Sequence, residues 1–276
     1  MISTAYIFVI FFIGLIALFY TNNKKYQALT NKVLPCKVSL LNFILFLWII
    51  IISIFITQFI FFFIQENFLK KGNELNFNWK IICTSITTHG TLFLIFSILW
   101  YYKIGNFFKG IQNPIKINLY SLRKGILFFL ASLPLLGITN YFWTKIIEYS
   151  IIFGKSFSQD KQIIVKIYTE STSLTISTIL SFLAIVIAPI VEEILFRGVI
   201  YRFLKNYSLN YCSLIFNAFI FAIVHYNILS FLPLFVLGIL ITKSYEKTGD
   251  IRVPIVFHAC FNANTLITIK LISNFQ

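Results

Sequence analysis

Charge is what this sequence has least of. Only 12% of its 276 residues are charged, against 58% hydrophobic, and the mean hydropathy is +0.85. A soluble domain of this length needs far more polar surface, so that class is excluded. Acid is scarcer than base: nine Asp and Glu stand against 23 Lys and Arg, a net charge of +14. In a soluble protein such an excess would point to nucleic acid. Here the basic residues sit mostly in short links between apolar runs, where they orient helices and touch anionic lipid headgroups. Nucleic-acid binding is therefore rejected. The four cysteines, Cys36, Cys83, Cys212 and Cys260, lack CxxC or zinc-finger spacing and read as small buried hydrophobes. No HExxH metalloprotease helix and no Gly-rich serine elbow occurs. Internal repeats, low-complexity tracts and a second soluble domain are absent as well.

What remains is apolar sequence in eight runs: residues 2–20, 40–64, 81–102, 122–147, 175–204, 209–226, 229–245 and 253–272. Each is read as long enough for roughly 30 Å of hydrocarbon at about 1.5 Å per helical residue. The expectation is an all-α, polytopic integral membrane protein of about eight transmembrane helices. No Lys or Arg precedes the first run and no small-x-small cleavage site follows it, so it reads as a retained helix rather than a signal peptide. Pro134 and Gly137 interrupt the fourth run, and Pro189 joints the fifth. Residues 149–172, with Asp160, Lys161, Lys166 and Glu170, read as an external loop. Basic residues concentrate in alternate links, 22–37, 103–124 and 243–252. The positive-inside rule then places those links in the cytoplasm of a cell-membrane protein and both termini outside.

Every strong chemical signal falls after residue 170. The chain is accordingly divided into an N-terminal transmembrane region, 1–170, with no recognisable motif, and a core, 171–276. Glu192-Glu193-x-x-x-Arg197 lies inside an apolar run. One charged side chain near a bilayer centre costs about 2.5–3.5 kcal/mol on insertion scales, and such groups are functional by default. Glu193 and Arg197 are four apart and can pair on a helix. Glu192 lies about 100° round from its neighbour and can point elsewhere. The bland alternative is a charge cluster snorkelling to the interface.

Phe221-Ala-Ile-Val-His225 comes near the end of the next run. If the polar turn at 205–210 joins antiparallel helices, Glu192 and His225 sit at similar depth, about 20 Å from it. A carboxylate and an imidazole could then meet within the bilayer. His258-Ala-Cys-Phe-Asn262 sets an imidazole and an amide on one face of the last run, which suits an oxyanion or a metal-bound group. Its alternative is a helix–helix hydrogen-bond pair. His89 lacks any such companion and reads as structural. His258 follows Arg252 by only six residues, so on straight helices it would lie shallower than Glu192. Either the last span starts deeper than that charge suggests, or the 243–252 link folds inward.

The order EExxxR, FxxxH, HxxxN, with Leu237-Gly238, Thr248-Gly249-Asp250 and Val253-Pro254-Ile255-Val256-Phe257 between, resembles the CPBP family. These are the CAAX proteases and bacteriocin-processing proteins, also called the Abi family, and the likeness spans residues 171–271. The resemblance implies a helical intramembrane endopeptidase with a polar cavity opening toward the cytoplasm. Its substrates would be membrane-associated proteins or peptides, prenylated CAAX-type proteins among them. It implies Glu192 as the base that activates water, assisted by His225, with Glu193 and Arg197 as a supporting pair. His258 and Asn262 would stabilise the oxyanion. The metal-free glutamate scheme is preferred; in the alternative, zinc or another divalent metal sits on Glu192, His225 and His258. Two other function classes stay open. A toxin-immunity protein would bind rather than cleave, and a transporter would use the charged cluster as a proton relay, although two similar broken-helix halves are missing.

Overall fold

Long runs of Leu, Ile and Phe with few breakers fold as helices wherever the structure describes them, and no strand occurs among the described residues. The structure is a computed structural model that describes residues 9–17, 33–68, 77–152, 167–168 and 173–273. Residues 9–17 are helical (α1). They are followed by α2 (Leu40–Phe68), α3 (Phe77–Tyr101) and α4 (Leu119–Ile152). Then come α5 (Leu174–Tyr207), α6 (Asn210–Ile223), α7 (Ile228–Thr248) and α8 (Arg252–Ser273).

Six of these, α2, α3, α4, α5, α7 and α8, are long and apolar enough to cross a membrane. The chain is an all-α, multi-pass membrane protein. Eight crossings were expected. Residues 2–20 are described only at 9–17, and most of the polar segment 149–172 also lies outside the described residues. The run 209–226 gives the 14-residue α6. At about 1.5 Å per residue it rises about 21 Å, less than the roughly 20 residues a full crossing takes.

The links that carry the basic residues are drawn to one end of the bundle, and Arg202 is the reason. It is 2% exposed, so each N–H it turns inward needs an acceptor. Its guanidinium donates to the carbonyls of Leu34 (2.7 Å), Phe107 (3.0 Å), Gly198 (3.3 Å) and Lys109 (2.6 Å). Asn206 and Tyr207 donate to the carbonyls of Cys36 and Val38. Stacked rings of Phe43 and Phe203, 3.6 Å between centroids, fill the space beneath. The segment before α2 and the link before α4 are thereby fastened to the foot of α5. Burial raises the Cys36 thiol above its ordinary value, with Arg202 opposing the shift, which suits an inert core position.

Close helix approach sets the rest. A Cβ on Gly125 of α4 would stand 2.5 Å from the Val256 side chain of α8, and one on Gly238 of α7 would stand 3.0 Å from Ala218 Cα of α6. Both contacts need the missing side chain. The start of α8 is tucked in: Asp250, Ile251 and Val253 are buried, and the Ile251 N–H donates to Gln112 Oε1.

Replacing Arg202 by Met removes the hub while keeping most of its volume, and leaves several buried carbonyls without donors. The unfolding midpoint in detergent should fall by the equivalent of about 2–4 kcal/mol. A thermal melt of the purified protein measures it; an unchanged midpoint would show that the links are held by other contacts.

Candidate active site

Alanine, proline and two glutamates decide the shape of α5 at its centre. Ala188–Glu193 is an α-helical turn between two π-helical stretches, Leu183–Ile187 and Ile194–Tyr201. The Ala188 N–H bonds Leu183 O, five residues back. The next bond in that register would run from residue 189 to Ala184 O, but Pro189 has no N–H. Ala184 O is left free and accepts from Asn262 Nδ2 of α8 at 2.7 Å. A proline on one helix thus creates the acceptor for an amide on another.

Five residues later the same helix presents the charged group. Arg197 and Glu193 are both 0% exposed, and Nη1 of Arg197 donates to Glu193 Oε1 at 2.8 Å. Two further N–H groups of the guanidinium are engaged. Nη2 donates to Gly238 O (3.1 Å) and Nε to Thr242 Oγ1 (3.3 Å), both on α7. The group also lies 4.6 Å from the centre of the Phe221 ring of α6, a cation–π distance worth about 0.5–2 kcal/mol. Glu193 Oε1 accepts a second bond, from His258 Nδ1 at 2.8 Å. A carboxylate can only accept, so Nδ1 carries the proton and the ring is fixed in orientation.

His258 Nε2 then faces Glu192, 4.0 Å from Oε2. The Glu192 side chain keeps 22% of its surface exposed, yet its Oε2 is buried without a hydrogen-bond partner, as is Glu193 Oε2. The adjacent carboxylates diverge as the helix geometry requires: one is locked against arginine and histidine, and the other is open.

The structure joins the three motifs, though not in the pairing the spacing suggested. Glu192 meets His258 rather than His225. α6 stops at Ile223 and the chain turns, with Tyr226 in the left-handed region at φ 49°. His225 Nδ1 donates to Phe221 O at 2.7 Å, and its ring packs on Phe221 (4.9 Å). The Phe221 ring also lies against His258 (5.7 Å) and so stands between the two imidazoles. Of the two ways to bring His258 to depth, the link folds inward. Arg252 sets its charge against Asp250 (2.7 Å) and donates to Lys116 O (2.9 Å), so it does not mark the membrane surface. Asn262 spends one amide hydrogen on Ala184 and keeps the other.

Glu192, His225 and His258 are not gathered as metal ligands. Among the described residues no group of three His, Cys, Asp or Glu side chains has that arrangement. In each histidine Nδ1 is engaged, by Phe221 O or by Glu193, and Nε2 is left open. Two buried residues were not singled out in the sequence, Thr242 and Asn217. The only trace of the first is its position, four residues after Gly238 on one helix face.

Comparison with known proteins adds an independent line. Residues 174–264 match the family model described as Type II CAAX prenyl endopeptidase Rce1-like. The match runs from the first turn of α5 into α8 and includes all six motif residues from Glu192 to Asn262. A search of curated proteins and a search of solved structures each found no match. Through this segment the chain is similar to the Rce1-like CAAX endopeptidases, and the matched stretch is set in a multi-pass membrane protein.

Proposed function

We propose that the protein hydrolyses peptide bonds of membrane-associated proteins or peptides, with Glu192 as general base on the attacking water and His258 as donor to the oxyanion. The observation that carries this reading is the 4.0 Å gap between His258 Nε2 and the partnerless, buried Oε2 of Glu192. A buried carboxylate oxygen with no donor calls for a water. A water shared by the two atoms needs the side chains to part slightly, because almost none of Oε2 is accessible to solvent as it stands.

Charge supports the division of roles. Glu192 and Glu193 bring two negative charges and Arg197 one positive, all within the bundle. Donation from Nε2 to an oxyanion requires His258 to act as the imidazolium, since Nδ1–H is spent on Glu193. The imidazolium, held through Nδ1 on Glu193, then presents Nε2–H where negative charge develops. Glu192 takes the proton from water, water oxygen bonds the scissile carbon, and the proton passes to the leaving amine as the C–N bond breaks. In this reading the second hydrogen of the Asn262 amide supports the same oxyanion. The resemblance implies an assisting role for His225, whose Nε2 is unengaged. The matched family model names prenylated CAAX proteins, and we take these as the first substrate class to test. The end of the bundle that carries the basic links faces the cytoplasm in this reading.

Cleavage of a fluorogenic prenylated peptide by the purified protein in liposomes tests the proposal. Wild type should cleave with or without a chelator. Glu192→Gln should lose about 10²–10⁴-fold, the usual worth of a general base. His258→Ala should lose about 10²–10³-fold, mostly in kcat. Full activity in Glu192→Gln would remove Glu192 from its role; loss with chelator alone would bring a metal back. The buried pair has its own signature. Glu193→Gln and Arg197→Met should each destabilise by about 3–5 kcal/mol, and the double variant by clearly less than their sum. Denaturant titration of the three proteins measures this, and additive losses would deny the coupling.

A further inference from the structure

Arg197 does not hold Glu193 and His258 in place unaided. Thr242 Oγ1 of α7 gives its hydrogen to Gly238 O at 2.7 Å, so its oxygen is left to accept. It accepts twice, from Arg197 Nε (3.3 Å) and from Asn217 Nδ2 of α6 (3.3 Å). Both residues are 0% exposed. The bonds run unbroken from Asn217 through Thr242, Arg197 and Glu193 to His258 Nδ1, linking α6, α7, α5 and α8.

Asn217 is an odd choice for stability. Its Oδ1 is buried with no hydrogen-bond partner. A buried acceptor without a donor is destabilising, and an apolar residue of similar volume would avoid the loss. It is explained by what its other atom does: Nδ2 and the Thr242 hydroxyl together fix where the Arg197 guanidinium lies.

Resting on the protease reading above, we infer that Thr242 and Asn217 are positioning residues for the reaction. They set Arg197 so that Glu193 aims His258 Nε2 at the water and oxyanion. Neither touches substrate. Their loss lowers turnover with little change in substrate affinity, because a misdirected donor is felt chiefly in the transition state.

Three variants separate this from plain packing. Thr242→Val keeps shape and loses the hydroxyl, Thr242→Ser restores it, and Asn217→Leu removes the donor together with the orphaned acceptor. In the liposome assay Thr242→Val should lower kcat about tenfold to a hundredfold, with KM within about twofold. Asn217→Leu should lower kcat about three- to tenfold while its unfolding midpoint stays level or rises, and Thr242→Ser should stay near wild type. A second readout needs no activity. The chain has three histidines, so ¹⁵N-histidine spectra can be assigned by single replacement. The His258 Nδ1 signal should move in Thr242→Val and Asn217→Leu and return in Thr242→Ser. Unmoved spectra overturn the inference, as do wild-type kcat in both disrupting variants or an equal loss in Thr242→Ser. If no protein cleaves but the His258 signal moves as described, the positioning chain stands and the protease assignment fails.

Discussion

A guanidinium with no exposure to solvent, in a bundle of apolar helices, is the constraint around which this protein is arranged. An unpaired charge there would be strongly unfavourable, and the remedy has to satisfy geometry as well as sign. Glu193 supplies the countercharge from one turn back on the same helix. Two more donors reach a backbone carbonyl and a hydroxyl on α7, and the flat face rests against a ring from α6. Satisfying one side chain therefore brings three helices to fixed positions. Because Glu193 Oε1 still has a lone pair to offer, it brings the fourth, α8, through His258. The same bonds that make the arginine tolerable aim the imidazole.

Irregular backbone has a comparable part at Pro189. In a regular helix each internal carbonyl already accepts one main-chain bond. The π-helical register together with the missing proline N–H leaves Ala184 O unclaimed, and Asn262 uses it. α5 and α8 are therefore tied at two levels, by charge at Glu193 and by main chain at Ala184. The second tie keeps the Asn262 amide beside the histidine one turn earlier on its helix.

Most of the helical architecture could be read from the length of the apolar runs, and so could the Glu193–Arg197 pair, because local periodicity fixes both. The partner of Glu192 could not. Counting residues from Arg252 treated that charge as a marker of the membrane surface. Asp250 and the Lys116 carbonyl neutralise and hold it, and the buried link carries His258 to the level of Glu193. Counting toward His225 assumed a helix that continues, whereas α6 ends two residues earlier in a turn. Thr242 and Asn217 resemble the ordinary polar residues scattered through membrane helices. Their meaning lies in a contact across 25 positions that no local pattern announces.

The shortness of α6 has a consequence for the lipid around it. Tyr211, Ile215, Phe216, Phe219 and Ile223 are exposed, so the helix stands at the perimeter, and Tyr226 at its end is 95% exposed. Beside neighbours that match the full hydrocarbon thickness, it falls short by about 9 Å. Acyl chains at this flank must tilt or shorten to cover the difference, at fractions of a kcal/mol per Å. The protein's outline in the bilayer is therefore notched on the side that carries the His225 turn. The thickness of the host membrane is thus a physical variable for this flank, as solvent viscosity is for a mobile loop in a soluble enzyme.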